Sequence, residues 1–188
     1  MLSLGTPAPD FSLPDVAAGR VFSLADFGEA EALLVIFLCT HCPYVVHVRP
    51  EIALLSSDYA DRGLAMVGMT SNDVAQYPED APEPTAAMAR AAGLRFPILY
   101  DVSQAVARAY TAACTPDFFL FDRDRRLAYR GQIDGSRPSR GPDRPGVGTL
   151  DGADLRAAID AVLAGRPVNP EQRPSIGCGI KWKTGALG

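Results

Sequence analysis

The sequence predicts an α/β fold in which a mixed central sheet is flanked by helices on both faces and carries an N-terminal β-hairpin extension. Apolar runs such as residues 33–38 lack polar alternation, which is typical of strands buried on both faces. Segments with apolar residues three or four positions apart separate these runs and indicate amphipathic helices. The last two strand-like runs are joined by a short charged turn, which indicates an antiparallel pair.

The first part of the chain is predicted to form a hairpin, a central strand and a helix. Apolar runs at 11–13 and 21–24, separated by a turn at Gly19, predict the hairpin. After the central strand, Pro43 suits the first turn of a helix, whose buried stripe would consist of Val45, Val48, Ile52, Leu55 and Tyr59. Pro50 should bend this helix and Gly63 should end it.

The rest of the chain is predicted to supply further strands and helices. We expect strands at 64–69, 96–100, 117–122 and 127–131. Three further helices are expected. One begins after an N-cap at Thr85 and ends at Gly93, and the last spans residues 151–164. The helix between them is marked by Val102, Val106, Ala109 and Tyr110. Residues 134–149, rich in Gly, Pro, Arg and Asp, predict a solvated loop. One domain over 1–165, followed by a tail over 166–188, is the expected organisation.

Composition argues against several classes of function. The chain has 188 residues, a net charge of −4 and a pI of about 5.1, which argue against a nucleic-acid or anionic-membrane partner. No run approaches the ~20 apolar residues that a membrane span requires. The N-terminus has neither the basic nor the apolar segment of a signal peptide, so we expect a cytoplasmic location. The sequence does not predict the oligomeric state.

Two cysteines in C-x-x-C spacing follow the central strand and immediately precede Pro43. This order places Cys39 beside a helix N-terminus, where free N–H groups and a partial positive charge stabilise a thiolate. The macrodipole contributes up to about 2 kcal/mol, whereas each hydrogen bond to a charged sulfur contributes about 1.5–3 kcal/mol, so donors around Thr40 should matter more. A protonated His41 would add a cation next to both sulfurs. We predict Cys39 as the nucleophile, which requires access to it, and the more enclosed Cys42 as the resolving thiol.

A zinc site and two inert core cysteines are the alternative interpretations of this motif. Zinc normally has four ligands. The remaining candidates are His41, His47, Cys114 and Cys178, and the sequence has no second C-x-x-C pair. His41 lies between the two cysteines, and one tight turn cannot easily direct four ligands toward a tetrahedral centre. We therefore expect neither a metal nor another cofactor, and we interpret His47 as a surface or capping residue.

Residues 39–43, after a hydrophobic strand, and the pair Thr115-Pro116, before a later one, resemble the two halves of a thioredoxin-fold active site. Residues 5–13 and 21–27 resemble the opening of the redoxin branch of that superfamily, which includes alkyl hydroperoxide reductase and thiol-specific antioxidant proteins. The tail at 174–183 resembles that of a cytosolic thioredoxin-like subgroup with a His-Cys-Pro-Tyr-Val motif.

This resemblance covers most of residues 3–165 and implies a thioredoxin-like domain over 1–165. It also implies that Pro116 follows a cis peptide bond and faces the cysteine pair, and that Thr115 offers backbone groups to an extended chain. Thioredoxin buries an acid beneath its second cysteine, but residues 33–38 contain none. The proton acceptor for Cys42 is therefore unassigned.

The function predicted from these residues is that of a thiol–disulfide oxidoreductase. The Cys39 thiolate would attack a disulfide, and Cys42 would resolve the mixed disulfide that forms. The expected partners are a protein or small-molecule disulfide or thiol and an unidentified electron donor. Cys114 and Cys178 are candidate accessory thiols.

Two alternative functions stay open at this point. A peroxiredoxin-like thiol peroxidase would carry Pro-x-x-x-(Thr/Ser)-x-x-Cys, with proline seven residues and threonine or serine three residues before the cysteine. Before Cys39 these two positions hold Ala32 and Ile36. Before Cys42 they hold Val35 and Cys39, so the motif is absent. A non-catalytic redox-sensing or partner-binding module would use the same crevice without turnover.

Overall fold

The chain contains nine strands and four α-helices within residues 2–184, which a computed structural model describes. The strands are β1 (Ser12–Pro14), β2 (Val21–Ser23), β3 (Ala32–Phe37), β4 (Leu64–Thr70), β5 (Ile98–Tyr100), β6 (Cys114–Thr115), β7 (Asp117–Phe121), β8 (Leu127–Gly131) and β9 (Cys178–Gly179). The helices are α1 (Pro43–Asp58), α2 (Pro82–Ala92), α3 (Ala105–Ala109) and α4 (Ala153–Leu163). Short 3-10 turns occupy Leu24–Phe27 and Pro78–Asp80.

The central sheet has five strands in the order β5-β4-β3-β7-β8. β3 is parallel to β4 and β4 is parallel to β5, with α1 and α2 as the crossover connections. β7 is antiparallel to both β3 and β8. The predicted mixed sheet is therefore confirmed. Its topology brings the carboxyl ends of β3 and β4 together at one edge, next to the start of α1.

Both faces of β3 are buried, as its unbroken apolar run predicts. Ala32, Leu34 and Ile36 belong to a core that includes the inner sides of α1 and α4. Leu33 and Val35 face a second core, which α3 and β1 help to form. The central strand thus holds the domain together through two layers of packing, and the turn that follows it has a rigid base.

Helix α1 ends at Asp58, with Tyr59 as its C-cap, and α3 spans only Ala105–Ala109. The predicted end at Gly63 and the predicted helical position of Val102 are therefore wrong.

The start of α2 also differs from the prediction. α2 begins at Pro82 after an N-cap at Ala81, so the prediction of Thr85 as N-cap is wrong. Proline suits the first helical turn, which explains the earlier start. The Thr85 hydroxyl instead donates to the main-chain oxygen of Asp80 at 3.2 Å. The predicted end at Gly93 is confirmed by its left-handed φ of 69°.

The loop at 134–149 is only partly the solvated segment that its composition predicts. Asp134 and Ser136 are buried, and Asp134 accepts hydrogen bonds from Ser136, Asp151 and Gly152. The remainder of the loop is largely exposed. The first residues of the loop therefore connect β8 to the beginning of α4.

The tail, for which no periodicity is predicted, contains the strand β9, which pairs antiparallel with β6. Ile180 is buried in the second core. Met1 and residues 185–188, the ends of the expected domain and tail, lie outside the described residues. None of the helices within residues 2–184 has the length and apolar character that a membrane crossing demands.

Candidate active site

The turn between β3 and α1 carries the C-x-x-C pair. Cys42 is the N-cap of α1 and Pro43 is its first residue, as the sequence predicts. The exposed fraction is 1% for Cys39 and 0% for Cys42. The prediction that Cys39 is accessible is therefore wrong. The prediction that Cys42 is markedly more enclosed than Cys39 is also wrong, because both sulfurs are buried. Both cysteines are thiols rather than a disulfide.

Thr115 contacts both sulfurs from across the crevice. Its hydroxyl oxygen lies 3.2 Å from Cys39 Sγ, and its main-chain oxygen accepts a hydrogen bond from Cys42 Sγ at 3.1 Å. The Thr115–Pro116 peptide bond is cis, which confirms the expectation drawn from the resemblance. The two separate motifs of the sequence thus meet in one buried site.

Asp80 is a functional candidate that sequence reasoning missed. This fully buried carboxylate accepts hydrogen bonds from the Thr40 amide at 2.7 Å and the Thr40 hydroxyl at 2.6 Å. Its second oxygen accepts from Asn72 Nδ2 at 2.7 Å. Asp80 therefore fixes the backbone of the cysteine turn. It also places a carboxylate near Cys39, whereas the sequence search for an acid was confined to 33–38.

A signal for Asp80 exists in the sequence. Polar residues follow β4, which is parallel to and adjacent to β3. The crevice of such a sheet lies beyond the carboxyl ends of its strands. The position of the polar loop at 71–80 therefore indicates that its side chains lie beside the cysteine turn.

His41 faces the acidic side of the site. Its Nδ1 lies 3.0 Å from Asp80 Oδ2 and 3.5 Å from Glu79 Oε1. Neither contact is a hydrogen bond, so the buried Nδ1 has no hydrogen-bond partner within residues 2–184. The imidazole also stacks on Tyr77, with ring centroids 5.5 Å apart. These contacts fix the ring beside the acids.

The electrostatics of the two sulfurs differ. A hydrogen bond from Cys39 is the main reason that the pKa of Cys42 is lowered to about 4. Burial opposes this shift, and hydrogen bonds from Cys178 and the Val45 amide reinforce it. The pKa of Cys39 is raised, first by its hydrogen bond to Cys42 and then by burial, with a further effect of Asp80. The two sulfurs therefore titrate as one coupled pair, whose ionised form has a single negative charge stabilised by the proton on the other sulfur.

The remaining predicted residues occupy separate environments. Cys178 packs against the core that contains both active-site sulfurs. Cys114 Sγ points toward the main-chain oxygen of Pro116 at 3.5 Å, and burial raises its pKa to about 12. His47 Nε2 lies 2.9 Å from Ser136 Oγ, so this ring links α1 to the loop after β8.

One group of side chains could supply metal ligands within residues 2–184. Single ligand atoms of Cys39, His41 and Asp80 all lie within 4.8 Å of one another. Both Asp80 oxygens already accept hydrogen bonds from Thr40 and Asn72. His47 lies outside this group and cannot complete the four-ligand set considered from the sequence.

The strand order, the cysteine pair at a helix N-terminus and the cis proline opposite it define a thioredoxin-like protein. The chain matches the Redoxin family over residues 3–149 and belongs to that family.

Two solved structures of other proteins share this fold. A hypothetical protein from Sinorhizobium meliloti 1021 has a solved structure that is 51% identical, with a TM-score of 0.92 and coverage of 98% of this chain and 97% of that one. A Chlorobium tepidum protein provisionally named thiol:disulfide interchange protein DsbE shares the fold at 20% identity and a TM-score of 0.65, over 87% of this chain and 99% of that one.

A Mycobacterium tuberculosis protein provisionally named a peroxiredoxin is 31% identical over 111 residues. The match covers 59% of this chain and 65% of the relative, so it spans less than two thirds of the relative's length.

Proposed function

We propose that this protein is a thiol–disulfide oxidoreductase in which Cys39 and Cys42 cycle between a dithiol and a disulfide. The observation that carries the proposal is the contact of both sulfurs with Thr115, which holds them next to each other at the end of β3. Membership of the Redoxin family supports redox chemistry at this pair. The proposal includes a cytoplasmic location, where thiols are kept reduced.

The proposed cycle conserves atoms and electrons. The cycle begins with an opening of the crevice that exposes the buried Cys39. The Cys39 thiolate then attacks one sulfur of a substrate disulfide, forms a mixed disulfide and releases one substrate thiolate. The Cys42 thiolate then attacks Cys39 Sγ, which forms the Cys39–Cys42 disulfide and releases the second substrate thiolate. The substrate gains two electrons from the dithiol, and an external thiol donor restores the dithiol by the reverse exchange.

A proton shift between the two sulfurs would prepare Cys39 for attack. A carbonyl oxygen only accepts hydrogen bonds, so the contact between Cys42 and the Thr115 main-chain oxygen favours a protonated Cys42. The Thr115 hydroxyl can donate to a thiolate at Cys39. Transfer of one proton along the Cys39–Cys42 hydrogen bond therefore gives an arrangement in which both contacts with Thr115 are favourable.

Disulfide trapping tests the proposal on the full chain. In a glutathione buffer of increasing oxidation, alkylation followed by mass spectrometry should reveal a reversible Cys39–Cys42 disulfide. Cys39→Ser should slow turnover of a small disulfide substrate by about tenfold or more, and Cys42→Ser should accumulate the mixed disulfide at Cys39. Free thiols at both positions in oxidising buffer, or full activity of Cys39→Ser, would overturn the proposal.

A thiol peroxidase is the second candidate, because the Mycobacterium tuberculosis relative carries a peroxiredoxin name. Consumption of hydrogen peroxide, measured in the same preparations, distinguishes the two functions. Fast peroxide consumption without disulfide exchange would favour the peroxidase.

A further inference from the structure

The tail strand β9 brings a third sulfur to the buried pair. β9 pairs with β6 in antiparallel register, so Thr115 lies directly opposite Cys178 and Cys114 lies opposite Gly179. Side chains of directly opposite residues project from the same face of an antiparallel pair. Because the Thr115 hydroxyl contacts Cys39, the Cys178 side chain projects toward the same pair of sulfurs. The Cys114 side chain projects from the opposite face.

Close packing holds Cys178 in that position. Gly177 lies so near Thr115 that a Cβ on this glycine would be 2.1 Å from the Thr115 main-chain oxygen. On the other side of Cys178, Ile180 is buried and its amide donates to the Ala113 oxygen at 3.3 Å. Cys178 is thus part of a closely packed strand beside the site.

Cys42 has two sulfur neighbours. Cys39 and Cys178 both lie close enough to affect its pKa, and Cys178 packs against the core that contains Cys42. Cys39 and Cys42 are buried, whereas Cys178 is partly exposed. The row of sulfurs therefore leads from the interior of the site toward solvent.

We propose that Cys178 is a third redox-active thiol, which exchanges a disulfide with Cys42 and so connects the buried pair to thiols in solvent. This proposal rests on the proposed function and extends it. The Cys178 thiolate attacks Cys42 Sγ of the Cys39–Cys42 disulfide, the Cys42–Cys178 bond forms, and Cys39 leaves as a thiolate. No net electrons move in this step.

Reduction is completed by a small-molecule thiol. One external thiolate attacks Cys178 Sγ, forms a mixed disulfide there and releases Cys42 as a thiolate. A second external thiolate attacks the external sulfur of that mixed disulfide, which releases Cys178 and one small-molecule disulfide. Two external thiols are oxidised and the protein disulfide is reduced. The reverse sequence oxidises the protein.

The electrostatics of Cys178 support an order for these steps. Burial and the hydrogen bond to Cys42 raise the pKa of Cys178 to about 11 while the pair is reduced. Once Cys42 is in a disulfide, it has no negative charge and the second effect is gone. Cys178 therefore becomes a better nucleophile when the disulfide that it attacks is present.

Tryptic peptides can reveal the proposed Cys42–Cys178 bond directly. Cys39 and Cys42 share the peptide 21–62, because Arg49 precedes a proline that blocks cleavage. Cys178 lies on the peptide 157–181 and Cys114 on the peptide 109–123. A Cys39–Cys42 disulfide leaves 21–62 unlinked, whereas a Cys42–Cys178 disulfide joins 21–62 to 157–181.

The experiment oxidises the full chain with glutathione disulfide, blocks free thiols by alkylation and digests with trypsin. Cys39→Ser and Cys39→Ala should both accumulate the joined peptides, because Cys42 then has Cys178 as its partner. Cys42→Ser should not join them, and the double variant Cys39→Ser/Cys114→Ser should join them as Cys39→Ser does. In addition, Cys178→Ser should slow reduction of the Cys39–Cys42 disulfide by glutathione by about tenfold or more, with its fold checked by circular dichroism.

The outcomes separate this proposal from the proposed function. Unlinked peptides in folded Cys39→Ser or Cys39→Ala, with the Cys39–Cys42 disulfide present in the wild type, would overturn the role of Cys178 alone. Absence of both disulfides would overturn both proposals. Joined peptides in Cys42→Ser would show that Cys178 reacts with Cys39, which contradicts the proposed order of sulfurs.

Discussion

Thr115 influences the two sulfurs through different atoms. Its hydroxyl meets Cys39 and its main-chain oxygen meets Cys42. The hydroxyl is able to donate or accept, but the carbonyl is limited to accepting. Thr115 can therefore support a thiolate at Cys39 and a thiol at Cys42, which opposes the charge distribution that hydrogen bonds from Cys39 and Cys178 create at Cys42. Small movements near Thr115 would change which sulfur is charged.

Asp80 permits a prediction at a single atom. Asp80→Asn replaces one carboxylate oxygen with an amide NH₂, which must face either the Thr40 amide or the Asn72 side-chain donor. An unsatisfied buried donor costs about 1–3 kcal/mol, so the free energy of unfolding should fall by that amount. Urea denaturation at neutral pH measures the change.

The neighbouring acid supplies a matched control. The Glu79 side chain is 47% exposed and lies 3.5 Å from His41, so it shares the surroundings of Asp80 without its burial. Glu79→Gln should change the free energy of unfolding by about 0.5 kcal/mol or less. Equal destabilisation by the two substitutions would contradict the anchoring role assigned to Asp80.

Asp134 connects one loop to one helix. It accepts hydrogen bonds from the Ser136 amide at 2.8 Å, the Asp151 amide at 3.0 Å and the Gly152 amide at 2.8 Å, and Gly152 is the N-cap of α4. Burial acts to raise the pKa of Asp134, but hydrogen bonds from Ser136, Gly152 and Asp151 outweigh it, and the pKa is lowered. The charged carboxylate therefore stabilises the beginning of α4.

This shift gives a pH-dependent prediction. Because the folded-state pKa lies below the unfolded value of about 3.9, the stabilisation by Asp134 is complete above that pH and is lost as pH falls through the folded-state pKa. Asp134→Asn should cost about 1–3 kcal/mol at neutral pH, and the difference from wild type should shrink in acid. Urea denaturation from neutral pH to about pH 3 measures it. The exposed Asp143→Asn is the control, and a constant difference across pH would refute the assignment.

The sequence predicts elements well where one pattern dominates. The unbroken apolar run of β3 and the left-handed glycine at position 93 are local signals, and both correspond to the structure. The start of α2 depends on a competition between Thr85 and two earlier prolines, which local preference does not decide. β9 has only two residues and exists because β6 pairs with it, so no pattern in the tail predicts it.

On the scale of the whole molecule, the tail strand packs against the cysteine site. Gly177 fits against Thr115 because it has no Cβ, and a Cβ there would lie 2.1 Å from a main-chain oxygen. Gly177→Ala should therefore displace the tail near the cysteine pair. Alkylation of Cys39 and Cys42 by iodoacetamide should become about tenfold faster or more, because both sulfurs are buried and Cys178 of this segment packs against the core that contains them.

Gly179 provides a control two residues further along the same segment. A Cβ on Gly179 would have its nearest neighbour, the Ala113 oxygen, at 3.9 Å, which is an ordinary contact. Gly179→Ala should leave the alkylation rates of the pair unchanged. Unchanged rates in Gly177→Ala as well would show that the tail does not limit access.

The predicted site was incomplete because long-range packing supplies the missing parts. The C-x-x-C motif and the Thr115-Pro116 pair are short signals, and the structure brings them together. Asp80 reaches the cysteine turn through the adjacency of β3 and β4, and the burial of Cys39 comes with a tail that covers the crevice. The spacing of residues along the chain predicts neither the position of Asp80 nor the burial of Cys39.

Asp80 also has a consequence for the end of the chain. It accepts from Thr40 and from Asn72, and the Asn72 side-chain oxygen accepts from the Lys181 amide at 2.8 Å. The cysteine turn and the C-terminal segment are therefore joined by an unbroken series of polar contacts. A displacement of the Thr40 amide would therefore alter the contacts of Asp80 and, through Asn72, those of the Lys181 amide.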